Sequence, residues 1–241
     1  MTPQQREVVG TSWLHRMEQE HLAVGAFAHL TSELAALGCQ PAILELAARA
    51  VSDEVRHARL CRDAAIAHLG PDRVPPFVRG TLELPVHAPE REHALVLLAA
   101  EMCCISETLT GAFLTEMLER AGTDEARTLV RALLSDEIDH GRIGWALLED
   151  RRKRGMDLAF VAAALPGLLE RQCADVIVPT QVTDDPALEA HGYLGPHASA
   201  YVYRTALAEI VLPGFAALGI DTSAARHRAA ERGWDLVPSL G

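Results

Sequence analysis

The sequence has few of the residues on which several classes of protein depend. Lysine occurs once in 241 residues, at Lys153, so neither a P-loop lysine nor a lysine that forms a Schiff base is expected. Aromatic residues make up 5% of the chain, and no useful β-alternation is present, so we expect an aliphatic, helical core. The five cysteines contain no Cys-x-x-Cys pair, which argues against a thiolate zinc site or a disulfide framework and favours a reducing cytoplasm.

The chain also has little positive charge and no long uncharged segment. Its formal net charge is −11, so there is little cationic surface to release counterions from a phosphate backbone, and a nucleic-acid partner is not expected. No apolar run approaches the ~18 to 20 residues that a membrane helix needs. The polar start of the sequence does not fit a signal peptide. We therefore expect a cytoplasmic protein without a membrane partner.

Helix start and stop signals divide the first two thirds of the chain into long helices. The stretch Pro71–Pro89 is too rich in proline for a helix and is long enough to cross the end of a bundle. Two short connections and one long crossover are typical of an antiparallel four-helix bundle. The four predicted helices are Ser12–Leu37, Pro41–His68, Glu90–Arg120 and a fourth that Thr123 caps and that ends in the basic run before Gly155.

The last third of the sequence is also predicted to be helical, but less regularly. No linker composition separates it from the rest. We therefore assign residues 1–154 to the bundle and residues 155–241 to additional C-terminal helices that pack on it. The predicted segments are a helix at Asp157–Val176, a loop at Pro179–Pro196, a helix at Ala198–Leu218 interrupted by Pro213, and a short helix after Thr222.

The inward-facing residues of the four bundle helices are apolar or small except near the middle of each helix. There, each helix has a carboxylate, and two helices add a histidine. A buried carboxylate costs several kcal/mol without a compensating charge, and no arginine or lysine occupies these inward positions. Bound metal cations are the expected compensation; a metal-free core of carboxylate–histidine hydrogen bonds is the alternative. The residues are Glu20, Glu54, His57, Glu107, Glu137 and His140.

Four carboxylates and two imidazoles suit iron or manganese better than zinc, which usually takes thiolates or more histidines. A Glu-x-x-His pair places both side chains on one helix face, so two such helices supply two similar half-sites. We therefore predict a dinuclear centre of iron or manganese, with two iron ions, a manganese–iron pair and a dimanganese pair all open at this point.

Two fragments of the chain resemble each other and a known family. Val51–His57 (VSDEVRH) and Leu134–His140 (LSDEIDH) are similar to the two Glu-x-x-His helices of ferritin-like diiron-carboxylate proteins. The resemblance implies a ferritin-like fold, with Glu20 and Glu107 as the lone glutamates of the first and third helices. Glu101 is the alternative to Glu107 as a ligand.

The resemblance also assigns supporting roles to two aspartates. Asp53 and Asp136 each lie four residues before a candidate ligand histidine and are natural acceptors for an imidazole N–H. In relatives, the aspartate before the glutamate reaches the histidine of the opposite helix, which would pair Asp136 with His57 and Asp53 with His140. The alternative for both aspartates is a solvated helix face.

Other residues near the predicted centre are candidates for contact with a substrate. Thr110 resembles the threonine near the oxygen-binding face of diiron hydroxylases, although a core threonine is the alternative. His21 flanks the inward face and is a candidate for contact with substrate. Small residues at this level predict a pocket beside the metals, with close helix packing as the alternative: Gly25, Cys61, Gly111, Gly141 and Gly144.

The resemblance implies an oxidase or monooxygenase that uses dioxygen to oxidise a small organic molecule and takes electrons from an external donor. A ferroxidase or iron- and peroxide-handling protein without an organic substrate is the second hypothesis. A structural helical protein without activity is the third. A homodimer is left open.

Overall fold

The computed structural model describes residues 1–76, 88–177, 184–234 and 236, and no strand occurs among them. The predicted all-α class is therefore confirmed. The helices are α1 (Pro3–Leu37), α2 (Pro41–Leu69), α3 (Arg91–Ala99, continued by the π-helical Ala100–Glu107 and by Thr108–Arg120), α4 (Asp124–Lys153), α5 (Ala159–Cys173), α6 (Pro186–Glu189), α7 (Pro196–Ala206, continued by the π-helical Leu207–Val211), α8 (Leu212–Ala217) and α9 (Ser223–Glu231).

Helix α1 begins at Pro3 rather than at the predicted Ser12. The reason is a capping box: the Thr2 side chain accepts a hydrogen bond from the backbone N–H of Gln5, and the Gln5 side chain accepts one from the backbone N–H of Thr2. Such a box satisfies amide groups that a helix start leaves unpaired. The helix ends as predicted at Gly38, whose φ of 69° lies in the left-handed region that glycine adopts without strain.

Two predicted loops lie partly outside the described residues. Of the predicted crossover, Pro71–Arg73 forms a 3₁₀ turn, and residues 77–87 are not described. Of the second loop, residues 178–183 are not described, and α6 occupies part of the remainder. The interruption predicted at Pro213 takes the form of a π-helical turn, Leu207–Val211, immediately before it. Proline has no backbone N–H to donate to the helix. The wider π-helical turn allows the chain to stay helical up to this residue.

The chain divides into two compact units, each assembled from separate stretches. Unit 1 consists of Met1–Pro85, Glu116–Asp136 and Asp184–Gly195. Unit 2 consists of Val86–Thr115, Glu137–Thr183 and Pro196–Gly241. The C-terminal third thus contributes to both units, and the predicted division at residue 154 stays a prediction.

The frame of unit 1 is the hairpin of α1 and α2. Gly10 near the start of α1 approaches Leu69 at the end of α2, whereas the connection after Gly38 joins the opposite ends. The two helices are therefore antiparallel. Their facing sides bury a row of aliphatic and aromatic residues that includes Phe27, Leu30 and Ala47.

Unit 2 contains the first part of α3 packed against the second part of α4. Glu92 lies 3.0 Å from Arg151, and the indole N–H of Trp145 donates to Thr108 at 3.4 Å. Because the contacts move towards the start of α4 as they move along α3, these two segments are also antiparallel. Helices α5, α7, α8 and α9 complete a single apolar core in this unit.

Among the described residues, the helix Arg91–Arg120 is long and apolar enough to cross a membrane. Most of its apolar window, 61%, is buried inside the protein. The core helix of a soluble protein passes the same test, so this is weak evidence for a membrane span.

The packing of α4 on α3 gives a prediction for two glycines. A Cβ added at Gly144 would lie 2.8 Å from the backbone oxygen of Ala99 and 2.7 Å from Sγ of Cys104. We expect Gly144→Ala to destabilise the protein by about 1 to 3 kcal/mol, because the helices must separate to admit the methyl group. Denaturant unfolding measures the change.

The matched control for this prediction is Gly111→Ala. A Cβ at Gly111 meets nothing within 4 Å, so the substitution should stabilise the helix by about 0.5 to 1 kcal/mol through a smaller loss of backbone entropy. Equal effects of the two substitutions would contradict the close packing at Gly144.

Candidate metal centre

Unit 1 brings together three of the predicted ligands. Glu20 is on α1, and Glu54 and His57 are on α2. One ligand atom from each residue lies within 4.8 Å of the other two, and such a group could hold a metal ion. All three side chains are buried, with relative exposures of 5% or less.

The orientation of His57 depends on Asp136. Its Nε2 atom lies 3.0 Å from Oδ2 of Asp136, and the opposite ring atom, Nδ1, lies 3.6 Å from Glu20 and 3.8 Å from Glu54. When Nε2–H donates to the aspartate, the lone pair of Nδ1 faces the two glutamates. A carboxylate bonded to the far side of the ring is the usual arrangement around a metal-binding histidine.

Arg16 compensates part of the buried negative charge, and the sequence analysis missed it. Its guanidinium donates to Oε1 of Glu20 at 3.0 Å. Burial by itself raises the pKa of Glu20, but hydrogen bonding to His57, the positive charge of Arg16 and a hydrogen bond with Glu54 outweigh burial and lower the pKa to about 2. The expectation that metal cations alone compensate these carboxylates is therefore corrected. Arg16 does not lie on the inward face of α1, but it is one helical turn before Glu20 and its side chain reaches the carboxylate.

A second arginine, Arg56, contacts both Asp53 and Asp136. Its Nη2 atom lies 2.5 Å from Asp136 and 2.8 Å from Asp53. The position of Asp136 is thus set by Arg56 on one side and by the imidazole of His57 on the other. The predicted pairing of Asp53 with His140 stays a prediction.

Unit 2 brings together the other three predicted ligands. One ligand atom each from Glu107, Glu137 and His140 lies within 4.8 Å of the others. Glu137 and His140 are buried, Glu107 is partly exposed, and Nδ1 of His140 lies 3.1 Å from Oε2 of Glu137. The spacing of three residues places this pair on one face of α4.

Glu101 and Glu107 stand at opposite ends of the π-helical turn Ala100–Glu107 and have different partners. Glu101 is 4% exposed and accepts hydrogen bonds from Arg171 at 2.7 Å and from Gln172 at 3.2 Å, both on α5. Glu107 lies with Glu137 and His140. The alternative ligand Glu101 is therefore engaged with α5, outside the ligand group of unit 2.

The small residues predicted to shape a pocket differ in their surroundings. A Cβ at Gly111 would enter open space, and one at Gly141 would make only ordinary contacts. At Gly144, a Cβ would lie within 2.8 Å of atoms of α3, which favours the alternative of close helix packing over a pocket at this glycine. Cys61 is fully buried.

The remaining candidates have no contact that assigns a role to them. His21 and Thr110 are partly buried, as is Gly25. Their predicted places beside a substrate stay predictions. Thr108, two residues before Thr110, donates its hydroxyl to the backbone oxygen of Cys103 at 3.5 Å, in the π-helical turn that precedes it.

The donor chemistry of both sets fits a divalent transition metal. Each set offers two carboxylates and one imidazole, ligands that suit iron, manganese and zinc. Ligands bound at about 2.1 Å around one ion lie roughly 3 to 4 Å apart, which is close to the separations within each set. Buried glutamate and histidine groups of this chain can therefore hold metal ions, and the donor set alone does not identify the metal.

Comparisons of the chain with protein-family models, with curated proteins and with solved structures found no match.

The contact between His57 and Asp136 gives a prediction for metal affinity. We expect Asp136→Asn to weaken binding of one metal ion by about 10 to 100-fold, because the amide no longer fixes the tautomer and the ring orientation of His57. Competition with a chromophoric chelator measures the affinity.

The control for this variant is Asp139→Asn, which removes an equivalent charge from a carboxylate that pairs with the exposed Arg142. Its metal affinity should match that of the unaltered protein. Equal losses in both variants would indicate an effect of net charge rather than of ring orientation.

The different partners of Glu101 and Glu107 give a second prediction. Glu107→Ala should remove or strongly weaken one metal ion per chain because a ligand is lost. Glu101→Gln should retain both ions and lower the free energy of unfolding, because a buried amide replaces the charged partner of Arg171. Metal content after gel filtration, together with denaturant unfolding, distinguishes the two. Loss of metal from Glu101→Gln but not from Glu107→Ala would instead identify Glu101 as the ligand.

Proposed function

We propose that this protein is an oxygen-dependent oxidoreductase that binds two iron ions per chain and oxidises or oxygenates a small organic molecule. The observation that supports the proposal is the repetition of one ligand pattern. Each compact unit contains a lone glutamate and a Glu-x-x-His pair whose ligand atoms lie within 4.8 Å of one another.

Electrostatics favours a cation in these groups. In unit 1, the two carboxylates Glu20 and Glu54 are buried close together, and Arg16 engages Glu20. Two carboxylates gathered at a buried position carry a desolvation cost that a bound cation lowers.

The sequence resemblance to ferritin-like proteins supplies the finer part of the proposal. It implies that two helix hairpins form a ferritin-like bundle and that the two ions form one dinuclear centre. Iron is the proposed metal because it can change its oxidation state, whereas zinc cannot. Iron bound at this centre would supply the electrons that reduce dioxygen; an external donor would then restore them.

The residues of the chain have distinct tasks in this proposal. Glu20, Glu54 and His57 hold one ion, and Glu107, Glu137 and His140 hold the other. Asp136 keeps Nδ1 of His57 directed at the glutamates. Arg16 engages Oε1 of Glu20 and leaves Oε2 on the side of His57. Five of these six ligand groups are buried, all except Glu107, and their burial limits the access of bulk water to the reacting centre.

The proposal predicts the metal content and the reaction with oxygen. Anaerobic loading with Fe(II), followed by gel filtration, should leave two irons per chain, and magnetic measurements on the oxidised protein should detect coupling between them. Incubation with a reductant, ¹⁸O₂ and a small-molecule cell extract should label an organic product, as detected by mass spectrometry, or yield a dehydrogenated one.

The matched variants are Glu137→Ala and Glu90→Ala. The first removes a candidate ligand and should lower the iron content and abolish oxygen uptake. The second removes a glutamate from a Glu-x-x-His match at the exposed start of α3 and should change neither. Oxidation of many irons per chain without any organic product would instead indicate a ferroxidase, and failure to retain iron would refute the proposal.

A further inference from the structure

Unit 1 contains a cavity of about 380 Å³ that none of the predicted site residues lines. Its volume lies within the range of small-molecule sites, roughly 300 to 1,000 Å³. The walls are mostly apolar and come from α1, α2 and the first turns of α4. The apolar wall residues include Trp13, Leu60, Ala64 and Leu129.

Two histidine rings lie close together in the lining of this cavity. His68 at the end of α2 and His191 in the segment after α6 both line it, and their rings are arranged edge to face with centroids 6.2 Å apart. Trp13 is 2% exposed and forms a buried apolar wall. An apolar lining with a few convergent hydrogen-bonding groups is the usual composition of a site for an organic ligand.

The charges around these histidines favour an uncharged head group. Burial first, and then the positive charges of His191 and Arg6, lower the pKa of His68, so its ring is neutral near pH 7 and offers one N–H donor and one acceptor. Glu125 lines the same cavity and opposes an anion, whereas the positive charge of Arg6 nearby opposes a cation. A hydroxyl group, which both donates and accepts, matches a neutral imidazole.

We propose that this cavity binds a small organic molecule with an apolar body against Trp13 and an uncharged hydroxyl head group at His68 and His191. Trp13 and Glu20 are seven residues apart on α1, so the cavity is about 10 Å along the helix from the ligand group of unit 1. The binding does not require metal. The identification of this apolar alcohol as the substrate of the metal centre, in contrast, rests on the proposed function.

Four probes that share one ring system test the ligand class. They are 2-naphthylmethanol, 2-naphthoate, 2-naphthylmethylammonium and 2-methylnaphthalene, and equilibrium dialysis against the metal-free protein gives each dissociation constant. The alcohol should bind at least about ten-fold more tightly than the carboxylate and the ammonium compound. Equal or tighter binding of either charged probe, or no saturable binding of the alcohol, would overturn the proposal.

Variants locate the binding. Ala64→Trp fills the cavity and should weaken binding of the alcohol at least ten-fold, whereas Ala48→Trp, at an exposed position of the same helix, should leave it unchanged. His68→Phe retains a ring but no hydrogen-bonding atoms. It should weaken binding of the alcohol several-fold and leave binding of 2-methylnaphthalene unchanged. This comparison remains decisive if Ala64→Trp does not fold.

The metal-ligand variant separates this proposal from the function of the metal centre. Glu137→Ala should bind 2-naphthylmethanol as tightly as the unaltered protein does, even though it loses iron. Unchanged alcohol binding in Ala64→Trp or His68→Phe would refute the cavity assignment while leaving the proposed function standing.

Discussion

The structure of this protein depends on how buried negative charge is balanced. Glu20 and Glu54 lie within the α1–α2 hairpin, where a carboxylate without compensation costs several kcal/mol. Arg16 engages one oxygen of Glu20, and His57 faces the other. Two buried carboxylates and an imidazole gathered within 4.8 Å of one another make this group suited to a cation. The helix hairpin, its apolar facing sides and its capped start all serve to hold these few atoms in place.

The two Glu-x-x-His motifs are nearly identical in sequence but lie in different surroundings. In unit 1, His57 is held at its far side by Asp136, which Arg56 holds in turn. In unit 2, His140 contacts the glutamate of its own motif, and the lone glutamate ends a π-helical turn. Such turns add a residue to the local repeat and occur frequently at functional sites. A repeated motif therefore supplies equivalent ligands, while neighbouring segments give each group its own orientation and charge.

The candidate ligands were predictable because helical periodicity places them on the inward faces, where carboxylates are unusual. Arg16 was missed because the inward positions were read as a narrow row, whereas an arginine one turn away can reach across that row. The competition between Glu101 and Glu107 could not be decided by counting residues, because Arg171 and Gln172, which engage Glu101, come from a helix far along the chain. Gly144 and Gly111 are indistinguishable by residue type, and only the facing helix separates close packing from open space.

The sequence by itself determined the all-helical class, most helix ends and the residues of both candidate ligand groups, because caps, prolines and the helical repeat act over a few neighbouring residues. Only the tertiary structure decided the π-helical turns, the partner of Glu101, the contact of Arg16 and the cavity beside Trp13. These features depend on side chains that meet across large separations in the chain, and no local pattern encodes which residues will face one another.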